Sequence, residues 1–496
     1  MKKIIFLVFI LAILVRLLYF PENVYFAYDQ ARDSYTALEI LKGNLKFIGP
    51  PSFASDKLFA GPLVYYVYAL PLALFDKNPE AISVLLRVIN SLGVIGVFLI
   101  GTSIFNKRAG LLAAILFAFS YEQSQYALFI SHQPQAVIPM LLFYLGLSLL
   151  IFKNEPKGIV LAMFGWGLSM QFHYGYILMV GVLFALALVF ARSMLLLRSR
   201  YFILSLFALL GTISTYIAVE VKHGFLSSFF SQPMGIKPTL YFSKTIFIIY
   251  RFFHDLLLAN YSYTPLIAII TIGIFIFLFF QKQLRLKLIF LLIWFLGGLA
   301  PYLLSGVPSY YYSAATSVSL LIFISYVVSE LLSWRAVVGF VIIFGIVANN
   351  LYLITTINPQ GVNRDMVIQP GMLVSDQKKI LDYIYSNALD RPFSVNALTV
   401  PLNVNTTWSY LFEWYGKSKY HYIPTWGGDA AAGFPGALPI VKDRAKLPTL
   451  QFMIIEPTVG IREAYQINFF KEESYFSKVV DEKKFGTIIV QKRQKI

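Results

Sequence analysis

A short polar stretch near the start of the chain carries residue types that group-transfer chemistry needs. Residues 25–35 read YFAYDQARDSY and follow a long apolar run, so Asp29 lies a few residues beyond the end of that run. A carboxylate in such a place can act as a general base on a substrate held at a membrane surface. Arg32, three residues further on, shares the helical face of Asp29 and can bind a phosphate bidentately. The simpler interpretation is an exposed ion pair on a surface helix, since such pairs are common.

The composition places this stretch beside a membrane. Of 496 residues, 58% are hydrophobic and 13% are charged, whereas soluble proteins carry roughly 25% charged residues. The net charge is +16, but the basic residues lie between apolar runs and form no single patch. This distribution argues against nucleic-acid binding and agrees with the positive-inside rule. The chain has no cysteine, which removes disulfides, thiolate metal sites and cysteine nucleophiles.

Eleven apolar stretches are long enough to predict membrane spans. When the N-terminus is placed in the cytoplasm, every short inside loop is basic, and the short outside loops carry almost no Lys or Arg. Between the fifth and sixth stretches we predict a break at His173, because one helix over both would be too long for a single crossing. The predicted spans cover residues 4–20, 81–105, 110–128, 135–152, 158–172, 176–191, 202–219, 265–280, 288–304, 311–332 and 337–356.

The remaining long segments all lie outside in this topology. Two of them, residues 21–80 and 220–264, are loops of a transmembrane domain that covers residues 1–357. The third is a polar tail, residues 358–496, in which a helix and three strands are predicted. The sequence therefore predicts an α-helical polytopic protein of the cytoplasmic membrane with a small extracytoplasmic α/β domain. The predicted helix covers residues 376–389, and the predicted strands cover residues 393–397, 450–455 and 487–491.

An additional apolar segment lies within the first loop. Residues 61–75 are apolar but short and contain Pro62 and Pro71. We interpret them as a helix at the membrane surface or a re-entrant helix, with Tyr65 and Tyr66 at the level of the headgroups. A twelfth span is the alternative, but it would place the basic loop at residues 106–108 outside the cell.

The whole arrangement resembles the GT-C superfamily of membrane glycosyltransferases, and within it the protein O-mannosyltransferase and aminoarabinose transferase group. In that group an Asp in the first outer loop, usually in an Asp-Glu pair followed by Arg, is the catalytic or acceptor-binding carboxylate. Asp29 and Arg32 match this pattern. Gln30 stands where the second acid is expected, and Asp33 is the residue that could replace it.

Weaker motifs extend the resemblance along the chain. Lys57 precedes the Gly-Pro-Leu-Val-Tyr-Tyr segment, and Arg87 lies at the outer end of the second span. The loop after the third span departs from the pattern, because it has Ser131 and His132 where relatives of the aminoarabinose type carry Asp. The resemblance implies that Asp29 is catalytic and that Arg32, Lys57 and Arg87 bind the donor phosphate, and Arg251 in the second long loop is a further candidate for that role. It also implies a pocket for which the candidates are Asp33, Tyr65, Tyr66, His132, His173, Tyr310 and Tyr311.

The function that the resemblance implies is transfer of a sugar from a polyprenyl-phosphate donor to a lipid, glycan or protein acceptor. No Gly-rich phosphate loop is visible, in agreement with a donor that is not a nucleotide sugar. The five histidines lack metal-site spacing, so no cofactor is predicted, and the need for a divalent metal is left open. The alternatives are a flippase for lipid-linked saccharides, although no internal repeat is visible, and a non-catalytic membrane subunit.

Overall fold

The first 357 residues of the chain are mainly helical. The computed structural model describes residues 1–52, 55–191, 200–224, 242–303 and 309–496. Many of these helices carry large apolar side chains on their outward surface, as lipid contact requires. The helices are α1 (Lys2–Leu17), α2 (Tyr28–Leu41), α3 (Leu63–Leu74), α4 (Pro79–Ser91), α5 (Gly93–Ile104), α6 (Lys107–Phe119), α7 (Tyr121–Leu128), α8 (Val137–Phe152), α9 (Gly158–Phe172), α10 (Met179–Val189), α11 (Arg200–Thr212), α12 (Ser214–His223), α13 (Phe242–Leu256), α14 (Thr264–Phe279), α15 (Lys282–Gly297), α16 (Thr316–Trp334) and α17 (Ala336–Ile357).

Fewer helices than predicted meet a strict length and hydropathy requirement for crossing a membrane. In the described ranges there are five such helical stretches, or six when the bent pair of α11 and α12 counts as one span. Eleven spans and the orientation of the chain therefore stay predictions. Most of the predicted basic loop at residues 192–200 lies outside the described residues. The five stretches are Pro79–Ile104, Gln133–Phe152, Lys282–Tyr302, Thr316–Trp334 and Ala336–Gln360.

Breaks divide several of the apolar stretches. The predicted break at His173 is present, because α9 ends at Phe172 and the ring Nδ1 of His173 accepts a hydrogen bond from the backbone N–H of Gly175 at 3.1 Å. The sequence did not indicate the break at Ser120, which separates α6 from α7. The Ser120 hydroxyl accepts a hydrogen bond from the backbone N–H of Gln123 and so caps α7.

The tail contains a five-stranded mixed sheet in the order β4-β3-β5-β7-β6. Its central strands, β3 and β5, are parallel, whereas β7 is antiparallel to both of its neighbours. The predicted helix and the three predicted strands are confirmed as α18, β3, β5 and β7. The tail elements are α18 (Val374–Ala388), β3 (Phe393–Leu398), α19 (Thr406–Leu411), α20 (Lys417–Tyr420), β4 (Thr425–Trp426), β5 (Leu450–Ile455), α21 (Glu463–Phe476), β6 (Ser477–Phe485) and β7 (Ile488–Lys495).

Backbone pairing attaches the tail to the first loop. The N–H of Phe26 donates to the carbonyl of Met372 at 2.8 Å, and the N–H of Val374 donates to the carbonyl of Val24 at 2.9 Å. The amide of Gln377 adds a bond to the carbonyl of Phe26 at 2.7 Å. Because these bonds lie directly before α2, they hold the tail beside the start of that helix. The first loop also contains a small antiparallel hairpin of β1 (Pro51–Ser52) and β2 (Ser55–Phe59), followed by α3, which lies where a surface helix was predicted.

Two fully buried arginines connect the ends of helices α1, α4 and α6. The guanidinium of Arg87 donates to the Ser83 hydroxyl at 3.0 Å, to the Arg16 carbonyl at 2.9 Å and to the Asn23 side chain at 2.9 Å. Arg16 in turn donates to the Asn90 side chain at 2.7 Å and to the backbone carbonyl of Ala118 at 3.1 Å. These bonds satisfy polar groups that apolar helices would otherwise bury without partners.

Replacement of Arg87 by Leu is expected to lower the stability of the fold by about 3 kcal/mol, because it leaves buried acceptors unpaired. The measurement is thermal unfolding of the purified protein in detergent. Arg108→Leu is the matched control. Arg108 is exposed, and its guanidinium donates a hydrogen bond to the hydroxyl of Ser333 at 3.0 Å. An Arg87→Leu protein that unfolds at the wild-type temperature would show that this network contributes nothing to stability.

Candidate active site

A cavity of about 450 Å³ lies where the start of α2 meets the tail. Asp29, Arg32 and Asp33 project into it from the first turns of α2. In the part of the chain that the structure describes, Arg32 is the only lysine or arginine that lines this cavity. The remaining walls come from the hairpin region, at residues 50, 51 and 60, and from five further segments, within residues 129–133, 173–174, 311–312, 366–369 and 400–401.

The side chain of Gln30 fixes the beginning of α2. Its Oε1 accepts a hydrogen bond from the N–H of Ala27 at 3.1 Å, and its Nε2 donates to the carbonyl of Ile130 at 2.7 Å. A carboxylate at this position could accept the first bond but could not donate the second. The amide at position 30 therefore attaches the helix to the opposite wall of the cavity, which gives a structural reason for Gln in place of the expected acid.

Arg32 pairs with two carboxylates that differ in their access to solvent. Its Nη1 lies 2.8 Å from Oδ1 of Asp29, and its Nη2 lies 2.8 Å from Oδ1 of Asp33. The Asp29 side chain is 53% exposed, whereas that of Asp33 is 4% exposed. The guanidinium also lies over the ring of Tyr28, 5.5 Å from its centroid. Asp29 is thus the carboxylate that a substrate can reach, and Asp33 supplies the second negative charge that Arg32 needs.

Neutral polar side chains form the wall that faces this charged group. Burial lowers the pKa of both His132 and His173, the latter to about 4, so both rings are neutral imidazoles. The His173 ring lies 4.8 Å from that of Tyr312, and Tyr311 lines the cavity beside them. Imidazole and phenol groups can donate and accept hydrogen bonds, as recognition of a sugar requires. Among the described residues, no group of three or more His, Cys, Asp or Glu is placed to hold a metal ion.

The similarities of the chain to known proteins agree with this architecture. Residues 60–217 match the family described as dolichyl-phosphate-mannose-protein mannosyltransferase. No curated protein matches the chain. Crystal structures of ArnT from Cupriavidus metallidurans, in the apo state and bound to undecaprenyl phosphate, align with it at a TM-score of 0.63 and 12% identity. The alignment with the undecaprenyl-phosphate complex covers 98% of this chain and 97% of the ArnT chain. The alignment with the apo structure covers 99% of this chain and 98% of the ArnT chain. The chain therefore shares the fold of these ArnT structures.

A more distant structure shares this fold. The oligosaccharyltransferase of Archaeoglobus fulgidus, in complex with Zn and sulfate, aligns at a TM-score of 0.50 and 14% identity. The alignment covers 97% of this chain and 72% of that chain. The resemblance expected from the first loop is thereby confirmed at the level of the fold.

The buried carboxylate of the cavity predicts a pH dependence. Burial raises the pKa of Asp33 to about 6, although Arg32 opposes this shift. Because the raised value means that Asp33 is fully charged only above it, activity is expected to fall as the pH drops through about 6. Protonation removes one of the two carboxylates that orient Arg32. In a profile of kcat/KM against pH, Asp33→Asn should lack this acidic limb and Glu39→Gln should keep it. A limb that persists in Asp33→Asn would assign it to another group.

Several residues that were predicted for the site lie away from the cavity. Arg87 donates its hydrogen bonds within the buried arginine network described above, so its guanidinium is not available to a donor phosphate in this arrangement. Tyr66 contacts the backbone of Lys46 through its hydroxyl. Tyr65 is buried behind Asp33 and does not line the cavity. The side chain of Lys57 lies outside the described residues.

Arg251 and Tyr310 belong to a second polar cluster. The two guanidinium NH groups of Arg251 contact Asp255 at 3.3 Å and Asp365 at 2.8 Å. The Tyr310 hydroxyl donates to Asp255 at 2.9 Å, and its ring lies 4.0 Å below the guanidinium. Burial opposes ionisation of Asp255, but Arg251 holds the pKa of that carboxyl below its usual range. This cluster connects α13, the aromatic segment at residues 309–312 and the start of the tail.

Sequence reasoning missed the residues of the tail that line the cavity. Gln369 and Val400 are more than 330 positions from Asp29 in sequence, and no local pattern connects them with it. Tyr28 and Tyr312 also line the cavity and were not predicted for it. Both are aromatic residues next to predicted site residues, and this is the feature of the sequence that could have indicated them. Tyr25 lies beside Asp29 on the same wall.

Proposed function

We propose that this protein transfers a sugar from a polyprenyl-phosphate donor to an acceptor hydroxyl, and that the reaction occurs in the cavity at Asp29. The observation that carries the proposal is the exposed Asp29 carboxylate, which Arg32 holds at the cavity. The first loop, the connections between helices and the tail all contribute walls to this cavity. The family match and the bound undecaprenyl phosphate of ArnT support a lipid phosphate as the leaving group.

Asp29 is the proposed catalytic base. It accepts the proton of the acceptor hydroxyl while the hydroxyl oxygen attacks the anomeric carbon in line with the bond to phosphate. That bond breaks, its electron pair leaves with the phosphate oxygen, and polyprenyl phosphate is released with inversion at the anomeric carbon. Asp33 is unsuited to this role because it is buried beneath Arg32.

Arg32 is the proposed ligand of the leaving phosphate. In the resting site its positive charge is shared by Asp29 and Asp33. When Asp29 takes up the proton, its pair with Arg32 weakens at the moment when negative charge grows on the phosphate. The guanidinium can then stabilise the leaving group without a large movement. Lys57 is proposed as a second ligand, since β2 pairs with β1, whose Pro51 lines the cavity.

The test is release of free polyprenyl phosphate by the purified protein in lipid. A panel of polyprenyl-phosphate sugars is offered with lipid, glycan and peptide acceptors, and nucleotide sugars serve as the negative control. Release from at least one lipid donor, with none from nucleotide sugars, is expected. Failure of every donor and acceptor pair would contradict the proposal and favour the flippase or the non-catalytic subunit.

A further inference from the structure

The tail contributes one side of the cavity, which we name the roof. The roof consists of residues 366–369 and 400–401. Glu456 lies directly behind it, one residue after the end of β5, and is 3% exposed. Its Oε2 accepts hydrogen bonds from Nε2 of Gln369 at 2.6 Å and from the N–H of Val400 at 3.0 Å. Its Oε1 accepts a bond from the indole N–H of Trp408 at 2.9 Å. One carboxylate at the end of β5 thus connects both roof segments with each other and with Trp408 of α19.

Glu456 differs from the other buried carboxylate of the same sheet region. Glu473 is paired with Arg444 at 2.6 Å and lines no part of the cavity. The described contacts of Glu456 are all with neutral donors, and burial raises its pKa to about 7. A buried carboxylate without a cation is costly. All three side-chain bonds of Glu456 come from N–H donors, and two of these donors belong to the roof, so the position of Glu456 points to a role in the cavity wall.

That role follows from the chemistry of the Gln369 amide. Nε2 of Gln369 donates to Oε2 of Glu456 at 2.6 Å and, over a longer distance of 3.4 Å, to the carbonyl of Pro457, so the amide NH₂ faces these two acceptors. The amide is thereby locked in one of its two orientations, and its Oε1 is the atom left to accept a bond from a molecule in the cavity. Sugar hydroxyls are donors of the required kind. A neutral amide at position 456 could donate as well as accept, which would leave only the longer contact with the Pro457 carbonyl to hold the orientation of Gln369.

We propose that Glu456 is a positioning residue, which locks the amide of Gln369 so that its Oε1 accepts a hydrogen bond from a hydroxyl of the donor sugar. This inference rests on the proposed function. It makes Gln369 a residue that determines affinity for the sugar, and it makes the tail part of the substrate site.

The experiment compares Glu456→Gln, Gln369→Leu and the double variant with wild type, and uses Glu473→Gln as the matched control. For a polyprenyl-phosphate sugar that the wild type uses, kcat and KM are measured by release of polyprenyl phosphate. Loss of one hydrogen bond should raise KM about tenfold in Glu456→Gln and in Gln369→Leu, with little change in kcat. Because Glu456 acts through Gln369, the double variant should be no worse than Gln369→Leu. Glu473→Gln should keep the wild-type KM.

Three results would overturn the inference. The first is a wild-type KM in Gln369→Leu, which removes the proposed sugar contact directly and so is informative even if Glu456→Gln folds poorly. The second is a KM in the double variant that equals the product of the single effects, and the third is an equal rise in Glu473→Gln. Absence of release by the wild type overturns the proposed function as well, whereas the three results above leave it intact.

Discussion

Replacement of Asp29 by Asn is expected to reduce turnover about a thousandfold, the size of effect typical for loss of a general base. The substitution keeps the shape of the side chain and removes its ability to take up a proton. Asp29 is 53% exposed, so the protein should insert and fold normally. The measurement is kcat for release of polyprenyl phosphate, together with the amount of monodisperse protein after purification.

The same helix provides a matched control for this variant. Glu39 lies near the end of α2 and forms an exposed pair with Lys42 at 2.7 Å. Glu39→Gln removes one negative charge from α2 at a distance from the cavity and should leave turnover unchanged. Turnover of Asp29→Asn within a few-fold of the wild type would remove Asp29 from the mechanism. An equal loss in both variants would indicate an effect of net charge and not of the base.

The second large effect is expected at Arg32. Replacement by Gln removes the guanidinium from the leaving phosphate and should lower kcat about a hundredfold or more, as loss of one preorganised group that stabilises transition-state charge does. Lys should restore part of the rate, because it keeps the charge but cannot contact Asp29 and Asp33 with separate NH groups. The measurement is single-turnover release of polyprenyl phosphate, which separates the chemical step from substrate binding.

Arg32→Gln also leaves the buried carboxylate of Asp33 without its cation, so stability must be followed in parallel. The double variant Arg32→Gln with Asp33→Asn removes that unpaired charge and should recover stability without recovering rate. Lys42→Gln is the surface control and should behave as wild type. Recovery of rate in the double variant would show that Arg32 serves only to neutralise Asp33.

The sequence alone predicted the residues of α2 that line the cavity. Asp29, Arg32 and Asp33 are close in the chain, and helical spacing places them on one side of α2. The resemblance added His132, His173 and Tyr311 as pocket candidates, each within or next to a predicted outer loop. All six line the same cavity.

The roof could not be predicted because it depends on how the tail docks. The bonds between residues 24–26 and 372–374 use backbone groups, which leave no trace in residue type. Strand β6 was missed for a related reason, since its side chains are mostly charged and exposed and lack an apolar alternation. Long-range pairing of this kind is visible only in three dimensions.

The buried arginines show why a charge within an apolar run is an ambiguous signal. Such a residue can face a polar cavity, as predicted for Arg87, or can bind the polar groups of neighbouring helices. The deciding feature is whether hydrogen-bond acceptors are available near the arginine. At the break at Ser120, the backbone carbonyls of Phe117 and Ala118 accept hydrogen bonds from the guanidinium of Arg16. The break at Ser120 was not predicted, so the buried network that includes Arg16 and Arg87 could not be anticipated from the sequence.

The most direct measurement is a structure of the Asp29→Asn protein with an intact polyprenyl-phosphate sugar. The inactive variant should retain the donor long enough to be observed. We expect the phosphate beside Arg32, with the anomeric carbon open to attack by a hydroxyl that lies about 3 Å from the side chain of residue 29. A phosphate bound instead beside Arg251 in the second polar cluster, with the cavity at residue 29 empty of sugar, would contradict the central claim.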